Sequence, residues 1–203
     1  MILSKHKTHI AIIVFSFFCL GWAGSWEELR GAAGGIRSVQ AEFVQEKHLP
    51  ILAKPLISRG VFYYQEPGSL RWEYRLPVKS VLIMHEGRIR RFVDGPAGLS
   101  EERGAGIDAM QVVMQEIAQW LAGRFDESTI FEARLEAGGS IELVPREPSF
   151  KKVIQRIVLN LGDRPGMIDH VTIYESQDAF TRMTFNQSEI NRPIDGTVFQ
   201  KVP

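Results

Sequence analysis

The sequence predicts an α+β fold. Its main element is one strongly curved antiparallel sheet forming an incomplete β-barrel, with a short N-terminal helix and a long mid-chain helix covering an apolar cavity. Three observations carry this. Period-two patterns recur on both sides of a single long stretch of helical period. Gly, Pro, Asn and Asp clusters punctuate them at short intervals. Ten or more strands in one open sheet curl toward a barrel, and a curled sheet separated from a helix by apolar side chains leaves space between them.

Composition bounds the rest. At roughly 150 residues per domain, 203 residues make one domain. With 44% hydrophobic and 24% charged residues the chain is globular, neither disordered nor a membrane bundle. Basic and acidic residues balance at 24 each, which argues against a nucleic-acid partner, since phosphates demand a basic surplus. One cysteine excludes a disulfide framework and a multi-thiolate zinc site.

Residues Met1 to Ser25 read as a cleaved secretory signal. Lys5 and Lys7 form the basic start, Ile10 to Leu20 the apolar run, and Gly21 and Ala23 the small residues before a cut after Ala23, with Ser25 as the alternative. The run is short for a membrane span. Phe17-Phe18 before Cys19 do not fit a lipoprotein signal. Cleavage leaves a slightly acidic chain without cysteine, and residues 26–203 form its single domain.

The elements follow in order. Trp26 to Ala33 is a short helix with Ser25 as N-cap and Glu27 and Glu28 in its first turn, stopped by Gly34-Gly35. Ser69 to Leu76 alternates strictly over eight residues, one face wet and one apolar. Val39–Lys47, Leu56–Tyr64, Ser80–His85 and Arg88–Val93 are weaker strands. A loop, Ala97 to Gly106, leads into the long helix Ile107 to Ala122, ended by Gly123. Met110, Val113, Met114, Ile117, Trp120 and Leu121 form its apolar stripe. Strands resume at Thr129–Leu135, Ser140–Val144, Val153–Leu161, Ile168–Glu175 and Phe180–Phe185. A final extended piece spans Thr197 to Val202.

Catalytic patterns are missing: there is no G-x-S-x-G elbow, no P-loop and no H-E-x-x-H. Gly104-Ala105-Gly106 is only a fragment of a dinucleotide loop. His48, His85 and His170 are too scattered for a metal site. Glu101-Glu102 and Glu27-Glu28 are adjacent pairs that point apart, so neither makes an acid/base couple. The chain reads as a non-enzyme with no cofactor and no metal.

Two groups of residues remain. Arginines crowd the early strands, with Arg71 and Arg75 on the wet face of their strand and Arg90 and Arg91 on opposite faces. They make either an ordinary solvated ion-pair surface with Glu73 and Glu86 or an anion contact at a cavity mouth. Aromatic and methionine side chains on the inner elements form either a plain core or an adaptable apolar site. The cavity wall draws on Phe43, Phe62 or Tyr63, Trp72, Tyr74, Phe92, Met110, Met114, Ile117, Ile157 and Leu159. The register set at the Pro67-Gly68 turn decides between Phe62 and Tyr63.

Phe43-Val44-Gln45-Glu46-Lys47, Lys54-Pro55-Leu56-Ile57-Ser58-Arg59-Gly60, Phe62, Pro67, Leu70-Arg71-Trp72 and Pro77 together resemble the LolA-type periplasmic lipoprotein carriers. Met183-Thr184-Phe185-Asn186, Asn191-Arg192-Pro193-Ile194 and Phe199 resemble that family's closing segment. The resemblance implies a Gram-negative periplasmic shuttle, a half-barrel closed by helices around an apolar cavity. It would take acylated lipoprotein or lipid cargo from an inner-membrane transporter and pass it to an outer-membrane acceptor, as a monomer and without catalysis. One departure stands out: Glu66 precedes Pro67 where better-known carriers place an arginine that latches the lid. The motif spacing looks closer to divergent members, some of which accompany lipid or polyene biosynthesis, and this implies a glycolipid or another acylated molecule as the alternative to lipoprotein cargo. Glu66, Arg71 and Arg75 are the expected latch and rim residues. The alternative reading is an envelope regulatory module that binds a lipidated or protein partner; a lipid hydrolase, the third, lacks a nucleophile–base pair.

Overall fold

Alternation places apolar side chains on one face of each strand, and the order of pairing decides what shape that face takes. The computed structural model describes residues 25–96, 98–102, 106–164 and 166–202, without the side chains of 106–110. The expected signal segment, apart from Ser25, lies outside the described residues.

Helix α1 (Trp26–Ala33) opens them, with the Ser25 hydroxyl accepting the Glu28 N–H at 3.2 Å as its N-cap. Six strands follow: β1 (Ser38–His48), β2 (Leu56–Gln65), β3 (Ser69–Leu76), β4 (Ser80–His85), β5 (Arg88–Gly95) and β6 (Gly98–Glu102). Helix α2 (Gly106–Leu121) leads to β7 (Phe131–Glu136), β8 (Ser140–Pro145), a short helix α3 (Pro148–Lys151), β9 (Arg156–Leu161), β10 (Ile168–Tyr174) and β11 (Phe180–Ile190). All eleven strands form one sheet in the order β6-β5-β4-β3-β2-β1-β11-β10-β9-β8-β7. Each half is an antiparallel meander, and the first and last strands join the halves at the centre.

Four expected boundaries move. The loop expected at Ala97–Gly106 contains β6, whose Glu101 and Glu102 pair with Phe92 and Arg91. β9 begins at Arg156 rather than Val153, because α3, with Pro148 at its start, takes up the preceding residues. β11 runs on to Ile190 because β1 offers it a partner along most of its length. The expected C-terminal extended piece is instead a 3-10 turn, Gly196–Phe199, capped by the Asp195 carboxylate on the Thr197 N–H at 2.8 Å.

The concave face carries the core. Phe43, Phe62, Tyr64, Leu70, Trp72, Met84 and Met114 form one cluster. Leu29, Trp120, Phe125, Phe131, Leu143 and Leu159 form a second, beneath α1 and the end of α2. Gly123, at φ +73°, ends α2 against α1: a Cβ there would stand 2.9 Å from the Ala33 Cβ. At the centre of the sheet Phe43 is 1% exposed, its ring 5.3 Å from Trp72 and 5.1 Å from Tyr74. The bare backbone of Gly60, opposite Phe43 in the register, makes room for it.

The convex face departs from expectation. Arg71, placed by alternation on a wet face, is only 5% exposed. Its guanidinium bonds Glu73 through Nε at 2.8 Å and Nη2 at 2.7 Å, and donates from Nη1 to the carbonyls of Val198 at 2.9 Å and Lys201 at 2.7 Å. The C-terminal segment thus lies across β3 and β4. Phe199 stacks on His85, and Val202 packs on Val81, Ile83 and Phe92. Arg75 shares this face, exposed, with its Nε 3.4 Å from Glu73. Asn191 ties the end of β11 to the start of β1, accepting the Arg37 N–H at 2.7 Å and donating to the Gly35 carbonyl at 2.8 Å.

Two substitutions test this packing. In Gly60→Ala the new Cβ would fall 2.0 Å from the Glu73 carbonyl and 2.6 Å from the Phe43 ring; it should lower stability by about 3 kcal/mol, read as a reduced urea midpoint. Arg71→Ala leaves Glu73 buried beside only the longer Arg75 contact and should cost about 3–5 kcal/mol. The double variant Arg71→Leu/Glu73→Leu should recover most of that loss. In both, amide exchange at 198–202 should speed up, because the carbonyls holding the segment lose their donor.

Candidate ligand-binding site

Strands β6 and β7 are the two edges of the sheet yet neighbours in sequence apart from α2, so α2 crosses the concave side. Between them lies a pocket of about 370 Å³. Its floor is built by register. Ala41, Phe62, Trp72, Leu82 and Arg91 stand in one row across β1 to β5, all on the concave face and all lining the pocket. The other half of the sheet adds Met183, Phe185, Val171, Ile173 and Ile157. The roof is one face of α2: Val112, Glu116 and Trp120 form one i, i+4 row, and Val113, Ile117 and Leu121 the next.

The expected wall residues divide. Phe62, Trp72, Tyr74, Met114, Ile117 and Ile157 line the pocket. The register pairs Phe62 with Trp72, which resolves the choice against Tyr63. Phe43 and Leu159 share the concave face but lie under the lining, packed in the core. Phe92 is on the convex face, because Arg91 takes the inward position on β5; Phe92 packs on Val81 and Ile83 beneath the Arg90 guanidinium, 4.7 Å from its ring centre. The side chain of Met110 lies outside the described residues.

None of the three expected rim and latch residues lines the pocket. Arg71 and Arg75 are on the convex face, where β3 alternation puts odd-numbered side chains, and the C-terminal segment buries Arg71 there. Glu66 sits in the β2–β3 turn, its carboxylate hydrogen-bonded to the Arg37 guanidinium and its N–H donating to the Arg37 carbonyl at 2.9 Å. Arg90 and Arg91 do point to opposite faces, bonded to Glu101 at 3.1 Å and Glu102 at 2.6 Å respectively.

The polar groups of the pocket are few. The Tyr74 hydroxyl donates to Gln45 Oε1 at 2.7 Å, and burial pushes its pKa up to about 12, against an opposing effect of Trp72. Arg91 and Glu116 are the charged residues that line it. Sequence reasoning missed Glu116, Leu82 and Val112; it placed Val113 in the apolar stripe and Arg91 in the arginine group without assigning either to the wall. The legible signal for Glu116 was a carboxylate inside the apolar stripe of the helix, four residues before Trp120. His48 stacks on Phe180 with ring centres 4.3 Å apart, and His85 bonds Ser69 at 2.8 Å, so both are engaged away from the pocket. Among the described residues no three His, Cys, Asp or Glu side chains gather as a metal-holding group.

An outer-membrane lipoprotein carrier protein of Methylococcus capsulatus is 25% identical over 202 residues, 95% of this chain and 92% of the relative. Among solved structures, the MucA/MucB complex of Pseudomonas aeruginosa is similar over 87% of this chain and 60% of that one, with 16% identity and a TM-score of 0.49. A LolA-superfamily protein from Nitrosomonas europaea is similar over 88% and 99%, with 12% identity and a TM-score of 0.43. The family model described as "Outer membrane lipoprotein carrier protein LolA" matches residues 34–202, nearly all of the sheet and helices described above, and the chain belongs to that family.

Proposed function

We propose that this protein is a periplasmic carrier that holds the acyl chains of a lipoprotein, or of a related acylated lipid, in the pocket between the sheet and α2. It would receive its cargo from an inner-membrane transporter and release it to an outer-membrane acceptor. The observation that carries the reading is the pocket itself, whose 370 Å³ is walled almost wholly by aromatic, aliphatic and methionine side chains. That volume falls in the ordinary range of small-molecule sites, about 300–1,000 Å³. Each buried methylene contributes about 0.8 kcal/mol, so about ten supply ~8 kcal/mol, equivalent to a Kd of about 1 μM. A single saturated chain enters a bilayer with a constant of only about 10⁴ M⁻¹. A methylene gains about the same 0.8 kcal/mol in a bilayer, so a chain can pass between pocket and membrane near balance, as a carrier requires, and no catalytic group is required.

Mass spectrometry of an organic extract from the purified periplasmic protein should find an acyl species in near-stoichiometric amount; an extract without one would overturn the proposal. Val113, 45% exposed and lining the pocket, is the position at which to block it. Val113→Trp should displace two or three methylenes and weaken a fluorescent acyl probe by about 30-fold, with the urea midpoint unchanged.

Glu66 we assign to handover, since it occupies the turn where the family resemblance expects a latch. Glu66→Arg would set two guanidiniums together at Arg37. Stability should change by less than about 1 kcal/mol, as for an exposed pair, while the rate of transfer to acceptor vesicles or acceptor protein changes. An unaltered rate would remove Glu66 from the latch.

A further inference from the structure

Glu116 is an acidic lining residue whose chemistry an acyl chain does not explain. It is 4% exposed, lines the pocket, and its Oε2 is fully buried with no hydrogen-bond partner among the described residues. One turn further along the same face, the Trp120 indole Nε1 is likewise buried and without a partner. Native proteins pair nearly all such atoms, so an unpaired carboxylate facing an apolar pocket calls for a partner of its own.

The other charge of the pocket does not supply one. Arg91 is bonded through Nη1 to Glu102 on the neighbouring strand at 2.6 Å, so its charge is balanced within the sheet. Among the described residues Glu116 Oε2 is left without a partner, in surroundings where Coulombic attraction is stronger than in water. A ligand that was acyl chain alone would bury this carboxylate further, at the cost of desolvating an unpaired charge. A ligand carrying a cation at that depth would gain a charge-assisted hydrogen bond.

We propose that Glu116 is a specificity-determining residue and that the pocket prefers acyl amphiphiles bearing an ammonium group. The ammonium pairs with the Glu116 carboxylate, and the Trp120 N–H is free to donate to an ester or amide oxygen beside it. Val112, Val113 and Ile117, on the same helix, and Leu82, on the sheet, receive the chain. This rests on the acyl-carrier reading above and names the class of headgroup that reading leaves open.

The test uses three ligands of one chain length, dodecylamine, dodecanol and dodecanoate, each displacing a fluorescent acyl probe from the full mature chain at pH 7. The wild type should bind the amine about tenfold or more tightly than the alcohol, with the carboxylate weakest. Glu116→Gln, which keeps shape and removes charge, should weaken the amine and bring amine and alcohol within about threefold of each other. Glu116→Leu should do the same with a raised urea midpoint, since it removes a buried unpaired charge. Equal affinities in the wild type, or a preference that survives Glu116→Gln, would overturn the inference and leave the acyl pocket standing. If none of the three ligands displaces the probe, the acyl pocket fails and this inference fails with it.

Discussion

The edge strands of the sheet follow one another in the chain, and that connectivity governs the rest of the molecule. After β6 the chain has to reach β7, at the far side of an eleven-stranded sheet. A sheet of that width curls, so the path between its edges runs over the concave side. A helix of 16 residues covers about 24 Å at 1.5 Å per residue, enough to span that opening. The concave face is therefore roofed by α2, with α1 packed at its end, rather than filled by a second layer. The pocket is what one amphipathic helix and a curved floor leave between them.

The convex side shows the same constraint. With its helices committed to the concave face, the sheet has one other element with which to cover β3, β4 and β5, the C-terminal segment. Arg71 makes that cover possible. A buried ion pair repays its desolvation only when further hydrogen bonds use the remaining donors, and here Val198 and Lys201 provide them. The two charged residues of the pocket differ on the same point. Arg91 is paired with Glu102, whereas among the described residues Glu116 Oε2 has no partner.

Much of the fold was legible from residue order alone. The β3 and β4 boundaries, Ser69–Leu76 and Ser80–His85, and the start of α1 at its Ser25 cap follow from alternation and capping, which are local. Six of the ten expected wall residues line the pocket for the same reason: Trp72 and Tyr74 sit two apart on one strand, and Met114 and Ile117 three apart on one helix. Several failures are cases where a partner distant in sequence decided the outcome. The glycine- and serine-bearing segment 98–102 reads as a loop until β5 offers it hydrogen bonds. Arg71 reads as wet until residues 198–201 return to cover it.

Phe92 belongs with them. An aromatic on a strand reads as core-facing, and it is buried, but on the face that the C-terminal segment covers rather than in the pocket. The sequence by itself determined the strand periods, the amphipathic roof helix and the apolar supply that both clusters draw on. Each of these is a property of residues within one or two turns of one another. Only the tertiary structure decided which of two buried faces is the site and which polar residues are stranded in it. Those depend on the register between strands and on what crosses each face; a local pattern marks Glu116 as a carboxylate within an apolar stripe but not what faces it.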